Sequence, residues 1–451
     1  MSTNILFFQK RSKIALEEPI LCRIPNDIKG NRQKEYEPKI LAIGPYHRSI
    51  GGQRERIHPR LKPIEDMKLQ FLVDLCKREA KNRNITKEDV LQTLITDVQS
   101  QELNARKKYS SEMTFEMSSE NFLHMLVLDG CFILELMLKI VNKEFFQAMP
   151  KTFTPNTCMA LKFDMLLFEN QIPFFILEKI FGSCSSSLSE HNTLLDLALS
   201  SFYQNKMTLQ MLPNEYWMGE KPEKIHHLLH LSHICLVGRL SKEPENHVNE
   251  TLLRNLFTKK HPECHLRSPM QHGLREYGIK FRMKKIRGSD TFLDVSFKDE
   301  IMEIPYLRIE DSTTSKFRNL LALEQSCKKY GNKLTRYISF MDDLIDKDSD
   351  VALLMNKNII GNYLGSTEKL ANMFIEMCDG LSLDQDNHYL KEMYEKINKY
   401  CDRPVNKWWA KLTHHYFNSP WSIISLFGVS VLLILAIVQT LYSVKSFNIG
   451  N

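Results

Sequence analysis

The chain has little glycine or proline and only a small excess of positive charge. Its 451 residues include 17 glycines and 17 prolines, too few for a collagen-like or low-complexity protein. Hydrophobic residues make up 43% and charged residues 25%, which permits a core and argues against wholesale disorder. The formal net charge of +6 is small for this length. Composition therefore indicates a globular protein and gives no reason to expect nucleic acid as a partner.

Metal-binding cysteine spacings and N-terminal signals are also missing. Ten cysteines are scattered from Cys22 to Cys401, and none forms a C-x-x-C pair. The apolar run Ile5–Phe8 is far too short for a secretory signal, and Ser2 stands where N-myristoylation requires glycine. We therefore expect reduced, mostly buried thiols in a cytosolic domain, and no cofactor.

One long apolar run, Trp421–Val444, lies near the end of the sequence. It contains no charged residue. At a rise of about 1.5 Å per residue, a helix of this length would span the apolar layer of a bilayer, which is about 30 Å thick. The run predicts a single transmembrane helix at 421–444, followed by a short tail at 445–451.

Basic residues set the expected orientation of this predicted anchor. Arg403, Lys407 and Lys411 precede the run, and only Lys445 follows it. The positive-inside tendency then places the large domain in the cytosol. The sequence leaves open whether the membrane is the plasma membrane or an endomembrane.

Helical periodicity dominates the rest of the chain. Residues 1–62 contain closely spaced breakers and predict an irregular arm packed on the domain. Apolar stripes at helical spacing recur from 63 to 417. The segment Asn121–Val141 is apolar nearly all round, but acids such as Asp129 interrupt it. We predict a buried core helix there rather than a second span. Pro173 should end one helix and begin the next.

A change of period interrupts the helices around 279–307. Lys280, Arg282 and Lys284 alternate with apolar residues, which predicts a strand with one basic face. Further alternation flanks the turn Lys298–Glu300. The predicted fold is therefore mainly α: a large helical domain with a small antiparallel β-sheet or hairpin insert and one C-terminal transmembrane helix. The basic face would suit phosphate groups, but its lack of aromatic residues favours a solvated sheet edge.

Three histidines suggest a metal site that the surrounding residues oppose. His226, His230 and His233 follow helical spacing and would share one face, where they could ligate zinc. No H-E-x-x-H sequence accompanies them, and the leucines between them favour a packed helix. We predict no metal here.

A D-D-x-x-D sequence provides the main enzymatic alternative. Asp342, Asp343 and Asp346 match the spelling with which terpene and prenyl synthases hold magnesium and diphosphate. The apolar stripe of the same helix would face the core and turn Asp342 and Asp346 towards solvent. A solvated acidic face is therefore favoured over magnesium–diphosphate chemistry.

Three further acids lie inside apolar runs, namely Asp129, Asp164 and Glu169. Acids in such settings can act as a general acid and base pair. More often they cap helices or accept hydrogen bonds from backbone. We assign no catalytic residue to them.

Several stretches, in order along nearly the whole chain, resemble the plant domain-of-unknown-function 247 family. They are Ile24-Pro25, Ala42–His47, Leu126–Phe132, Leu166–Phe174, Phe292–Val295 with Ile304-Pro305, Asn319–Gln325, and Lys407–Trp409 with Asn418–Trp421. The family's D-x-x-L-L-E-N-Q form fits Asp164–Gln171, with Phe168 at the variable position. The family's common Asp-Gly hairpin turn is Asp299-Glu300 here, a change that could lengthen or distort the turn.

The resemblance implies a role in recognition rather than a chemistry. Its members look like membrane-associated proteins without an established enzymatic activity, and some grass members are implicated in self-incompatibility as pollen-side determinants. No catalytic residue can be carried over. We expect a membrane-tethered module that recognises unidentified protein partners or signals through them, with terpene-synthase-like chemistry at Asp342–Asp346 as the alternative.

Overall fold

A computed structural model of the chain describes residues 19–48, 58–110, 117–144, 154–184, 193–203, 224–237, 274–286, 290–381, 388–416 and 420–449. Helices dominate these residues, as the apolar periodicity predicted. Within the arm lie a four-residue helix, α1 (Asn26–Lys29), and short 3₁₀ turns at Gln33–Glu35 and Pro59–Leu61.

The first group of helices encloses one hydrophobic cluster, which we call the N-terminal cluster. Its helices are α2 (Lys62–Arg83), α3 (Lys87–Gln99), α4 (Glu102–Arg106), α5 (Ser119–Val141), α6 (Pro155–Asp164), α7 (Phe174–Ser183) and α8 (Leu194–Tyr203). The Ser118 side chain caps α5 by accepting the Asn121 amide N–H. Nearly every residue of α5 from Met125 onwards is buried, and α2, α3, α7 and α8 pack around it. The prediction of a buried core helix is confirmed.

A second hydrophobic cluster, the C-terminal cluster, combines helices with short strands. Its elements and those that follow are β1 (Lys280–Lys284), β2 (Ser296–Lys298), β3 (Ile301–Pro305), β4 (Leu307–Ile309), α10 (Asp311–Ser326), α11 (Lys333–Leu344), α12 (Asp348–Asn356), β5 (Ile360–Asn362), α13 (Thr367–Cys378), α14 (Lys391–Cys401), α15 (Pro404–Tyr416) and α16 (Pro420–Ile449). Helix α9 (Leu228–Val237) contributes to both clusters, with Leu229 in one and Leu231 in the other.

The sheet is mixed, so the prediction of an antiparallel sheet is wrong. Strand order is β1-β3-β2, and β1 runs parallel to β3, with Lys280 beside Ile301 and Lys284 beside Pro305. Of the strand pairs that the structure describes, only β2 and β3 are antiparallel. Alternation of apolar residues identifies a strand but carries no information on its direction. The prediction that the basic strand lies at an edge is confirmed, because β1 has one neighbour in this sheet.

The turn between β2 and β3 stays tight despite the missing glycine. Lys298 pairs with Ile301, so only Asp299 and Glu300 connect the strands, with φ angles of 50° and 65°. Positive φ at both positions is the geometry of a type I′ hairpin turn, in which the second residue is usually glycine. The turn therefore carries backbone strain at Glu300.

Glu300→Gly should raise the free energy of unfolding by about 1 kcal/mol, because glycine adopts positive φ without a Cβ clash. The measurement is urea unfolding in a Tyr400→Phe background, since the Glu300 side chain also bonds to Tyr400. Lys298→Gly, one residue inside the strand, should instead lower stability. Equal effects of the two glycines would argue against strain at the turn.

The C-terminal helix does not support the predicted transmembrane span. Among the residues that the structure describes, no helix is both long and apolar enough to cross a membrane. Helix α16 covers Trp421–Val444, but Ser425, Ser430, Gln439 and Thr440 recur along it. The prediction rested on the length of the run and its absence of charge, both read from the sequence alone. The prediction of a transmembrane helix at 421–444 is therefore wrong.

Candidate functional site

The strongest concentration of buried polar groups lies where the arm meets the segment Asp164–Gln171, which we call the junction motif. Helix α6 ends at Asp164, and Pro173 stands immediately before α7, so the motif forms the connection between two helices. Phe168 packs in the C-terminal cluster, whereas Met165 packs in the N-terminal cluster. The motif thus lies at the boundary of the two clusters.

Asp164 binds three consecutive backbone amides of the arm. Its Oδ1 accepts the Lys39 N–H at 2.9 Å, and its Oδ2 accepts those of Ile40 and Leu41 at 2.8 and 2.9 Å. Burial raises the pKa of this carboxyl to about 6, although the three N–H groups act to lower it. A short polar side chain here satisfies backbone groups that an extended arm would otherwise bury without partners.

The side-chain amides of Asn170 and Gln171 link the junction motif to the arm and to α9. The Asn170 Oδ1 accepts the Ile43 N–H at 2.6 Å, and its Nδ2 donates to the carbonyls of Leu41 and Asp164. The Gln171 Oε1 accepts the Leu229 N–H of α9 at 3.2 Å. Its Nε2 donates to carbonyls within the motif. Each amide therefore links the motif to a different segment.

Two further residues of the motif bind other segments: Glu169 contacts the arm, and Phe168 contacts α10. The Glu169 Oε1 accepts the Ile24 N–H at 2.7 Å and lies 2.7 Å from the Lys29 Nζ. The Phe168 N–H donates to Asn319 Oδ1 at 2.9 Å, and Asn319 Nδ2 donates to the Glu35 carbonyl. The arm is therefore held at several points, by groups from both hydrophobic clusters.

Gly44 brings the arm into close contact with the motif. Its φ is +70°, and a Cβ at this position would stand 2.5 Å from the Gln171 carbonyl oxygen. Its N–H donates to Asp129 Oδ2 at 2.8 Å. Any other residue would both clash and adopt an unfavourable backbone angle. This glycine is required for the arm to reach α5.

Asp129 and three charged neighbours form a largely buried group, which we call the ion cluster. Asp129 Oδ1 lies 2.7 Å from Lys68 Nζ and 2.5 Å from Arg48 Nη2. Glu65 pairs with both cations, and Lys68 also donates to the Ala42 carbonyl. Asp129 and Lys68 have no exposed side-chain surface. The two acids and two bases balance, which makes their burial tolerable.

The pKa values of the ion cluster follow from its geometry. Burial acts to raise the pKa of Asp129, but the charges of Arg48 and Lys68 outweigh it and hold that pKa below its usual value. Burial acts to lower the pKa of Arg48, whereas Asp129 and Glu65 raise it above the usual value. Asp129 and Arg48 are therefore both stabilised in their charged forms.

The junction motif and the ion cluster together form what we call the arm clamp. The acids Asp129, Asp164 and Glu169 accept hydrogen bonds from backbone N–H groups, which is the more common role of acids inside apolar runs. The residues that donate these bonds are 85 to 145 positions away in the sequence. Both oxygens of Asp129 and Asp164, and Oε1 of Glu169, are occupied by N–H groups and cations of the chain itself. This arrangement holds the arm in place.

The three histidines are not brought together as a metal site. His226 precedes α9, and its ring stacks on that of His230 at 4.7 Å between centroids. His233 instead bonds through Nε2 to Glu324 at 2.8 Å, and Glu324 also accepts the Leu334 and Thr335 amide N–H groups. Within the described ranges, no three metal-binding side chains are placed to hold an ion.

The D-D-x-x-D residues also diverge. Asp342 bonds to Cys378, and burial raises the pKa of its carboxyl. Asp343 accepts the Tyr394 hydroxyl at 3.3 Å, and the Asp346 amide donates to Asp350. The apolar stripe of α11 faces the core as predicted. Each acid therefore has a different neighbour, and nothing here gathers the three around a common ligand.

Two of the three basic side chains on β1 are paired with neighbouring groups. Arg282 pairs with Glu303 across the β1–β3 ladder at 2.6 Å. Lys284 Nζ donates to the Asp294 carbonyl at 2.9 Å and lies 3.8 Å from Asp290. These contacts fit the prediction of a solvated edge and weaken the case for a phosphate-binding surface.

Sequence reasoning missed the cationic half of the arm clamp. The buried face of α2 carries Ile64, Lys68, Phe71 and Leu75. Lysine at a core position of a periodic stripe was the available signal, because a buried lysine requires an acid nearby. The partner, Asp129, had been noticed separately inside α5.

Fold and site together define a helical protein built around a buried polar clamp that fixes its N-terminal arm. The chain belongs to the plant domain-of-unknown-function 247 family, described as a plant protein of unknown function, whose model matches residues 21–435. The resemblance noticed in the sequence is confirmed. The match includes both the arm clamp and most of the C-terminal helices.

Similar proteins are known from Arabidopsis thaliana. The chain is 29% identical over 438 residues to the UPF0481 protein At3g47200, covering 96% of this chain and 87% of that protein. It is 21% identical over 496 aligned positions to a second UPF0481 protein, At3g02645, covering 93% and 89%. No solved structure shows significant similarity to the chain. The names of these relatives assign no activity.

Proposed function

We propose that the chain is a non-catalytic interaction module that binds protein partners while its C-terminal helices contact a membrane surface. The proposal is carried by a contrast between two parts of the molecule. The arm clamp uses its carboxylates and amides internally, whereas α15 and α16 present large apolar side chains to the outside. Exposed apolar surface of this extent marks an interaction site.

Helix α15 has the composition of an interfacial helix. Val405 and Trp408 are 73% and 62% exposed, and Trp409 is 47% exposed. Lys407 and Lys411 on the same helix are also exposed. Indole rings favour the level of lipid headgroups, and lysines there attract anionic lipids. This combination supports contact with an anionic membrane surface.

Helix α16 continues the apolar surface. Phe427, Leu432 and Ile434 are 71%, 67% and 60% exposed, and similar side chains follow to Tyr442. In water this surface would be costly, so we infer that it is covered in the working protein. The proposal requires contact with the membrane surface and does not require the helix to cross the bilayer.

Replacing Trp408 and Trp409 together with alanine should weaken binding of the full chain to vesicles containing phosphatidylserine by about tenfold or more, because two indole rings are lost from the interface. The measurement is co-sedimentation or flotation across a range of lipid concentrations. The double change Lys407→Gln and Lys411→Gln should lower the affinity for anionic vesicles more than it lowers the affinity for neutral vesicles.

Tyr363→Ala provides the matched control, because Tyr363 is 56% exposed but lies at the end of β5. It should bind vesicles like the unmodified chain. Equal binding of the tryptophan variant and the control would overturn the membrane part of the proposal. Proximity labelling in cells then tests the protein-partner part of the proposal. The full chain and the tryptophan variant should label different sets of proteins, because the partner set is expected to depend on α15.

A further inference from the structure

We propose that a groove beside the junction motif binds a small amphipathic carboxylic acid, with its apolar body inside and its carboxylate near Lys224. This ligand site is separate from the membrane contact proposed above. The groove has a volume of about 490 Å³. That volume lies within the range of about 300–1,000 Å³ typical of small-molecule sites.

Several separate segments form the walls of the groove. Leu21 of the arm, Pro173 before α7, the start of α8 and the segment just before α9 all line it. The arm is held there because the Ile20 and Leu21 amides donate to the Lys108 carbonyl at 3.0 and 2.8 Å. A site walled on several sides fits a compact ligand better than an extended peptide, which requires a long open groove.

The lining is mostly apolar and aromatic. Phe175 and Phe181 of α7 contribute to one wall, and Leu195 and Ile225 contribute to others. Phe175, Phe181 and Ile225 are only partly buried, so they keep surface for a ligand to cover. Transfer of an alkyl or aromatic body from water to this lining supplies the binding free energy.

Polar groups in the lining favour an anionic head. Lys108 and Lys224 both line the groove, and Glu178 is the single acid among the lining residues. His226 also lines it and shares a hydrogen bond of 2.9 Å with the Tyr330 hydroxyl, which fixes its ring. Lys224 is exposed as well as lining the groove, so a carboxylate head can pair with its ammonium group.

Calorimetric titration of the full chain with decanoate, decanol and decylammonium tests the proposal without any bilayer. These probes share one alkyl chain and differ in head charge, and all are used below the concentration at which they form micelles. Decanoate should bind saturably and about tenfold more tightly than decanol, and decylammonium should bind most weakly. Absence of saturable decanoate binding would overturn the proposal.

Two variants locate the binding in the groove. Lys224→Gln should abolish the preference for decanoate over decanol while leaving decanol binding intact, whereas Lys87→Gln, an exposed lysine on α3, should change neither. Phe175→Ser should weaken both ligands. Binding that ignores Lys224 and Phe175 would contradict the proposal. A dimer seen by gel filtration and dissociated by Phe175→Ser would also contradict the proposal, because the groove would then be a contact between two copies of the chain.

Discussion

Asp129→Ala should lower the free energy of unfolding by about 3–5 kcal/mol, because it leaves the two cations Lys68 and Arg48 with Glu65 as the one remaining acid of the ion cluster. The Gly44 amide loses its acceptor at the same time. Urea unfolding of the full chain, followed by circular dichroism, measures the change. Limited proteolysis should also cut the arm faster in this variant, since the arm loses two of its attachments to α5.

The charge origin of this effect can be separated from simple loss of packing. Adding Lys68→Met to Asp129→Ala removes the excess ammonium group. The free energy of unfolding of the double variant should therefore fall by less than the sum of the losses in the two single variants. Asp66→Ala is the matched control, because Asp66 is an exposed acid next to Glu65 on the same helix. If Asp129→Ala costs no more than Asp66→Ala, the ion cluster does not hold the arm.

Acid should destabilise the chain strongly through His227. Burial, with smaller contributions from His226 and His233, lowers the pKa of this imidazole to about 3, from a usual value of 6.5. The unfolded chain therefore binds a proton at higher pH than the folded chain does. Stability due to this group is complete above pH 6.5 and is lost as the pH falls towards 3. At about 1.36 kcal/mol per pKa unit, the loss reaches about 5 kcal/mol.

His227→Asn should flatten the pH dependence of stability. Between pH 7 and pH 4, the fall in the free energy of unfolding should shrink by about 3 kcal/mol relative to the unmodified chain. Asparagine can still accept the His230 amide N–H that His227 Nδ1 accepts at 3.2 Å. His58→Asn is the control, because exposed His58 makes a similar contact with Arg60. A slope unchanged by His227→Asn would show that another group causes the acid sensitivity.

Much of the fold follows from local patterns. Apolar periodicity predicted the helices around the core, including α5 and α11, and Pro173 was correctly placed between two helices. Strand direction was not predictable, because alternation is the same whichever way a strand runs. The transmembrane helix was predicted from run length and lack of charge, and the described helices do not support it.

The arm clamp was visible only in fragments. Asp129, Asp164 and Glu169 were recognisable as unusual acids, but their partners are backbone amides, which every residue possesses. A sequence therefore cannot identify those partners. Lys68 was recognisable from its place on the buried face of α2, and with Asp129 it predicts an ion pair. The groove was not predictable, since its walls come from segments far apart in the chain.

The arm clamp has a consequence for the order in which the chain acquires its structure. The arm is synthesised first, but Asp164 and Glu169 follow the residues they bind by 125 and 145 positions, and Asn319 follows Glu35 by 284. A growing chain thus carries its arm without the Asp164 and Glu169 contacts until the junction motif has been made, and without the Asn319 contact until α10 has been made. Long-range contacts of this kind slow folding. Full docking of the arm is therefore a late step in folding. A chain that ended before α10 would leave the Glu35 carbonyl without its hydrogen bond to Asn319.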